Sequence, residues 1–256
     1  MPIPKSAIVI SIDKIMPNVN SLKIKIFGDG ADLGNIRSLY SQAYIKGFTT
    51  NPTLMRQAGI ENYKAFALQV LQVVPDWPVS FEVFSDDIDG MEAQAHEINS
   101  WGPNVNVKIP ITNTKGETTA PLVGRLSALG VVCNITAMFT LGQLQEIVDV
   151  LDPATPAILS VFAGRIADTG VDPVPHMRAA VAIAKAKPKA EVLWASPREL
   201  LNIFQADEVG CHIITVTHDV LKKLSGVGKD LTTFSLETVA MFYRDAQAAG
   251  YTIDTR

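Results

Sequence analysis

Short runs of β-type residues alternate with longer helical segments, and a strand–helix unit recurs about every 30 residues, the spacing of a chain of βαβ units. The runs are Ile24–Asp29, Ala43–Thr49, Val79–Val83, Val105–Ile109, Val131–Thr136, Ala157–Phe162, Glu191–Ser196 and Cys211–Val216. Between them, Tyr63–Val74 carries Phe66, Ala67, Val70, Leu71 and Val74 on one helical stripe, and Leu141–Leu151 and Met177–Ala186 repeat the pattern. Asp172-Pro173 reads as a helix start, and Ser196-Pro197 predicts a second one with proline in the first turn. Eight such units in 256 residues suit one closed (β/α)8 barrel of the TIM class, which typically takes about 250 residues. An open doubly wound sheet would bring a Gly-rich phosphate turn after its first strand. The chain has Gly28-Asp29-Gly30-Ala31-Asp32 there, without GxGxxG spacing. The expected organisation is an extension over 1–23 and a barrel over 24–256. The barrel ends in an added helix, Leu231–Ala249, with Phe234, Val239 and Phe242 for packing.

Composition narrows the partners. The 47% hydrophobic content supports a large core, and 22 basic against 26 acidic residues leave a net charge of −4. A broad basic face for nucleic acid is not expected. Cys133 and Cys211 lie in apolar runs and read as small buried side chains in a reducing compartment. The run Ala7–Ile12 is too short for a secretory core, and no apolar stretch nears the roughly 20 residues of a membrane helix. A cytoplasmic protein without membrane contact is expected.

Strand parity then selects residues. If Val105, Val107 and Ile109 face the outer helices, Asn106 and Lys108 point into the lumen. The same rule sends Ser80 and Glu82, Asn134 and Thr136, and Ser160 and Phe162 inward. These polar residues cluster toward the strand C-termini, where barrel enzymes assemble their sites. A lysine held in a lumen loses hydration, which disfavours its charged form and suits imine chemistry. Glu82 beside it fits a structural ion pair as well as a proton shuttle. Asp29 and Asn51-Pro52 are equally at home in turns, and Asn134, Thr136 and Ser160 as satisfied interior polar groups.

The blocks Lys46–Leu54 (KGFTTNPTL) and Val107–Thr112 (VKIPIT) resemble the transaldolase family and its smaller fructose-6-phosphate aldolase relatives. Asn134–Thr136, Ile158–Ile166 and Trp194–Glu199 resemble the family's blocks on strands five to seven, in order from about Ile24 to Leu224. The resemblance implies a metal-free and cofactor-free class I mechanism acting on sugar phosphates. Lys108 would form a Schiff base with a ketose, and Asp29 would accept the C4 hydroxyl proton. Glu82 with Thr136 would hold a water for proton transfer. Asn51, Asn134 and Ser160 would bind the three-carbon enamine, and Arg165, Ser196 and Arg198 the phosphate.

Glu82 and Phe162 match the true transaldolases, whereas the simple aldolases tend to carry Gln and Tyr. The implied activity is therefore transfer of a dihydroxyacetone unit within the pentose phosphate pathway. An aldolase releasing free dihydroxyacetone is the alternative, and a non-catalytic binding barrel a further one. The resemblance also implies a homo-oligomer. Departures are Gly30 after Asp29, with Asp32 as a fallback acid, and Pro197 before Arg198. His96, His176, His212 and His218 are scattered, so no metal site is expected.

Overall fold

The computed structural model describes residues 19–255. The run Ala7–Ile12 and most of the expected extension fall outside the described residues; its described end includes a 3-10 turn at Val19–Ser21. The chain forms two compact units, Asn20–Leu224 and a second whose described part is residue 19 with 225–255.

The larger unit begins with β1 (Lys25–Asp29), α1 (Leu33–Tyr40) and β2 (Ile45–Thr49). Two helices, α2 (Pro52–Gln57) and α3 (Tyr63–Val73), precede β3 (Val79–Glu82). Then come α4 (Ile88–Asn99), β4 (Val105–Pro110), α5 (Ala120–Ala128), β5 (Cys133–Met138) and α6 (Leu141–Val150). The order continues through β6 (Ala157–Val161), α7 (Ala163–Ala167), α8 (Pro173–Ala184) and β7 (Ala190–Trp194). It finishes with α9 (Leu201–Glu208), β8 (Ile213–Thr217) and α10 (His218–Leu221). All eight strands are parallel and close in sequence order, β8 pairing back onto β1. This is the (β/α)8 barrel that the alternation predicts, with strand ends displaced by a residue or two.

Local sequence explains where the helices begin. Asn62, Asp87 and Asp172 each accept a backbone N–H of the first turn, and Thr140 with Gln143 forms a reciprocal capping box. The core has two layers. The outer one, between sheet and helices, contains Val105, Val107, Ile109, Cys133, Ile135, Leu159 and Val161, as parity requires. A smaller inner cluster of Phe27, Ile158, Leu193, Ala195 and Ile213, with Phe162 against it, packs together separately. Gly47 makes room for the Phe27 ring, since a Cβ there would lie 2.5 Å from its Cζ. The lumen is therefore filled by side chains, and the polar members are left at the C-terminal mouth.

The second unit contains α11 (Leu231–Ala249), capped by Asp230 and ended by Gly250 in the left-handed region at φ 67°. Its expected packing residues Phe234, Val239 and Phe242 are exposed, and none of its residues is buried. Among the described residues no helix is long and apolar enough to cross a membrane.

Candidate active site

A cavity of about 440 Å³ opens at the C-terminal ends of the strands. Of the expected site residues, Asp29, Asn51, Glu82, Lys108, Thr136, Ser160, Phe162, Arg165 and Ser196 line it. Glu82 and Lys108 are register partners on β3 and β4, so both side chains rise from adjacent strands into the same space. Lys108 Nζ lies 3.0 Å from Glu82 Oε2 and donates to the Thr50 carbonyl at 3.1 Å. The two side chains retain only 9% and 15% of their exposure, so the pair is shielded from bulk water while facing the cavity.

Asp29 ends β1 and accepts from Thr49 Oγ1 at 2.7 Å. Thr49 Oγ1 is in turn 2.5 Å from Thr215 Oγ1, so with the Thr49 proton on Asp29 the Thr215 hydroxyl donates into the chain. Burial pushes the Asp29 carboxyl above its ordinary range. The positive charge of Lys108 and the Thr49 hydrogen bond pull it back in part, and Glu82 adds to the rise. An acid whose proton affinity is raised in this way, beside a sheltered amine, is better suited to take and return a proton than an ordinary carboxylate.

Asn51 serves two purposes. Its Oδ1 caps α2 by accepting from Leu54 N–H at 3.0 Å, with Pro52 in the first turn, and its side chain also borders the cavity. The cap occupies the carbonyl oxygen and leaves the amide NH₂ as the group available to a ligand. Thr136 Oγ1 is buried without a hydrogen-bond partner, an unmet donor and acceptor in a polar cavity. The β5–β6 register slips between Ile135 and Met138, and Ala137 takes φ 59°. This bulge turns Ala137 as well as Thr136 toward the cavity.

Two expected residues are placed elsewhere. Asn134 faces inward but is fully buried, donating to Ser80 Oγ at 3.0 Å and accepting from Ser160 Oγ at 2.6 Å. It supports Ser160 and is not on the cavity wall. Arg198 is drawn away by Asp168, its Nε donating at 2.9 Å and its Nη2 closing an ion pair with the same carboxylate. That pairing raises the guanidinium's pKa and holds the Asp168 carboxyl below its usual range.

The helix expected at Pro197 is not there. α9 begins at Leu201, and the N–H groups of Arg198 and Glu199 both donate to Asn202 Oδ1. Ser196 is left-handed at φ 57°, which turns the chain before a helix can start. Its carbonyl passes so close to Gly164 that a Cβ there would come within 1.5 Å of it. The anion-binding candidates are thus Arg165, whose guanidinium carbon lies 5.5 Å from the Phe162 ring centre, and Ser196.

Thr49, which lies within the KGFTTNPTL block, also lines the cavity, as do Gln57 and Thr215, which lie outside the motif blocks and the strands read by parity. Parity along Cys211–Val216 could have found Thr215, because Ile214 and Val216 face the outer core. Among the described residues no group of three or more His, Cys, Asp or Glu side chains is arranged to hold a metal ion.

Comparison with known proteins bears on the family and the fold. The family model described as Transaldolase/Fructose-6-phosphate aldolase matches residues 26–254. A protein of Dehalococcoides mccartyi named "Probable transaldolase" is 35% identical over 202 residues, 78% of this chain and 90% of its own. One of the same name from a Thermoanaerobacter species is 32% identical over 231 residues, covering 90% of this chain and all of the relative. Solved structures with the same barrel include KGPDC from Streptococcus mutans, with TM-score 0.54, 9% identity and coverage of 80% and 94% of the two chains. Dihydrodipicolinate synthase from Rhodopseudomonas palustris gives TM-score 0.57 at 14% identity, covering 90% and 81%. At such identities the structures speak for the fold alone. The matched span and the curated relatives settle the lineage: this chain belongs to the transaldolase/fructose-6-phosphate aldolase family.

Proposed function

We propose that the protein is a transaldolase that moves a dihydroxyacetone unit from a ketose phosphate, such as fructose 6-phosphate or sedoheptulose 7-phosphate, to an aldose phosphate. The observation that carries the proposal is the shielded Lys108 amine, 3.0 Å from a carboxylate and on the wall of a cavity that Asp29 shares. Lys108 passes a proton to Glu82 and its nitrogen attacks the C2 carbonyl of the donor, giving a carbinolamine. Glu82, with a water held against the unpartnered Thr136 hydroxyl, protonates the departing hydroxyl, and loss of water leaves an iminium. Asp29 removes the C4 hydroxyl proton. The C3–C4 electron pair then moves to the iminium, an aldose phosphate departs, and an enamine remains on Lys108. A second aldose phosphate accepts the enamine carbon at its carbonyl, Asp29 returns its proton, and water releases the new ketose.

In this reading Ser160 and the Asn51 amide bind the enamine hydroxyls, and Arg165 with Ser196 bind the phosphate, as their position on the cavity wall supports. Phe162 favours transfer over release of free dihydroxyacetone. Its ring cannot hydrogen-bond a water that would quench the enamine, and it packs with Phe139 at 5.7 Å between ring centres. Borohydride added with fructose 6-phosphate tests the chemistry: a stable adduct at Lys108, located by peptide mass spectrometry, is expected. No label, or label on another lysine, removes the mechanism. Product identification with and without an aldose acceptor separates transferase from aldolase.

A further inference from the structure

We infer that Tyr63 is a positioning residue for the Lys108–Glu82 pair, holding the main chain of one partner and leaving free the main-chain acceptor of the other. The inference rests on the catalytic role proposed above for that pair. β2 and β3 are in register at Phe48–Val79 and Thr49–Ser80, and the ladder's next bond runs from Thr50 N–H to the Ser80 carbonyl at 3.3 Å. A parallel ladder would continue with Glu82 N–H donating to the Thr50 carbonyl. Both groups have other partners. Tyr63 Oη accepts from Glu82 N–H at 2.7 Å and donates to the Glu82 carbonyl at 3.0 Å. The Thr50 carbonyl accepts from Lys108 Nζ at 3.1 Å. One phenol replaces a strand at the point where β2 and β3 part, and the acceptor it spares holds the lysine.

The hydroxyl is itself well fixed. Tyr63 is the first residue of α3, directly after the Asn62 cap. Its ring meets Phe84, Trp101 and Phe81 at centre distances of 4.6, 5.4 and 6.1 Å. Burial raises the phenol's pKa far above its ordinary value, so it stays a neutral donor and acceptor over the working range. Without the hydroxyl, Glu82 N–H and carbonyl both lose their partner. The nearest acceptor in the ladder pattern is then the Thr50 carbonyl on which Lys108 depends. Tyr63 does not line the cavity, so the consequence falls on proton transfer within the pair and not on substrate contact.

Tyr63→Phe keeps the ring and removes only the hydroxyl. The expected result is a fall in kcat of about ten-fold with KM within about two-fold, and a limb of the pH–kcat profile displaced by roughly half a unit or more. Phe84→Leu, which loosens the ring without touching the hydroxyl, should leave that profile in place. In a Glu82→Gln background the added Tyr63→Phe change should cost less than about two-fold, because both act through one group. A lowered melting temperature with wild-type kcat and pH profile would overturn the inference, as would fully additive losses. Should Tyr63→Phe fail to fold, amide exchange on the unmodified protein decides: Glu82 N–H should exchange slowly, and rapid exchange overturns the claim. Borohydride trapping with dihydroxyacetone on the wild-type protein separates the two levels. Label at Lys108 with unaltered Tyr63→Phe kinetics removes only the positioning role, whereas absence of label removes the catalytic role beneath it.

Discussion

Glu82 and Lys108 stand at one register of neighbouring strands and meet at 3.0 Å with little of either side chain exposed. Removing one member of such a pair leaves a shielded charge without its counter-ion, a loss of about 3–5 kcal/mol where burial is complete. Glu82 keeps some access to the cavity, so roughly half of that is expected for Lys108→Met. The variant should lose turnover by three or more orders of magnitude and melt several degrees lower. Adding Glu82→Gln to it should recover most of the lost melting temperature without recovering activity. Thermal melts of the two single variants and the double, alongside donor turnover, check both halves. Independent effects on the melting temperature would mean that the pair is not coupled.

Asp29 presents the opposite balance, because its burial opposes ionisation more than Lys108 and Thr49 favour it. Its folded pKa lies above the ordinary value of 3.8, so the folded state holds the proton more tightly than the unfolded chain. Stability from this group is therefore greatest below pH 3.8 and declines as pH rises through the folded value. The cost of the ionised carboxylate grows as pH rises from 3.8 through that folded value. Asp29→Asn, which still accepts from Thr49, should melt a few degrees higher at pH 7 and lose activity by about a hundred-fold or more. The melting advantage should shrink in acid. An asparagine variant less stable than wild type at neutral pH would contradict this balance.

The parts legible in the sequence are those governed by short-range rules. Alternation of apolar and polar residues in β3 to β6 placed Glu82, Lys108, Thr136 and Ser160 inside, because one face of each strand must meet the helices. The TTNP block already contained a helix cap, Asn51, followed by a first-turn proline. What escaped depends on backbone geometry or on distant partners. Ser196-Pro197 imitates a capped helix start, but the left-handed Ser196 turns the chain instead. Arg198 is claimed by Asp168, thirty residues earlier in sequence, and no local pattern announces that pairing. The bulge that brings Ala137 beside Thr136 breaks the alternation from which parity is read. Tyr63 reads as an ordinary helical residue until the parting of β2 and β3 is seen.

The two arginines near strands six and seven should behave differently. Arg165 borders the cavity, whereas Arg198 sits in an exposed ion pair with Asp168. Arg165→Ala removes a charged donor from the phosphate end. It should raise KM for a phosphorylated ketose by about ten- to a hundred-fold, while sparing turnover of an unphosphorylated ketose donor such as fructose. Arg198→Ala breaks a surface pair of small energetic weight, and KM should stay within about three-fold of wild type. Steady-state kinetics on phosphorylated and unphosphorylated donors resolve the two. Equal losses on both donor types for Arg165→Ala would move the phosphate elsewhere.

His212 gives the barrel a measurable response to mild acid. It immediately precedes β8, its N–H donates to the Val192 carbonyl, and its Nδ1 accepts from Val192 N–H, both at 3.0 Å. One residue thereby satisfies both main-chain groups of Val192 where β7 and β8 begin to pair. The ring must be neutral at Nδ1 to do so. Burial lowers its pKa below 6.5, with Glu191 opposing the shift and Lys25 adding to it. The unfolded chain therefore takes up a proton first as pH falls. The stability that His212 contributes is complete above pH 6.5 and is lost as pH drops from there through the lower folded value. In His212→Asn a side-chain oxygen can accept from Val192 N–H without titrating. Its melting temperature should consequently decline less between pH 7 and pH 5 than that of the wild type. Some slope should survive, because burial also lowers the pKa of His176. Parallel melting curves for the two proteins across that range would show that the Val192 bond does not depend on the imidazole's charge.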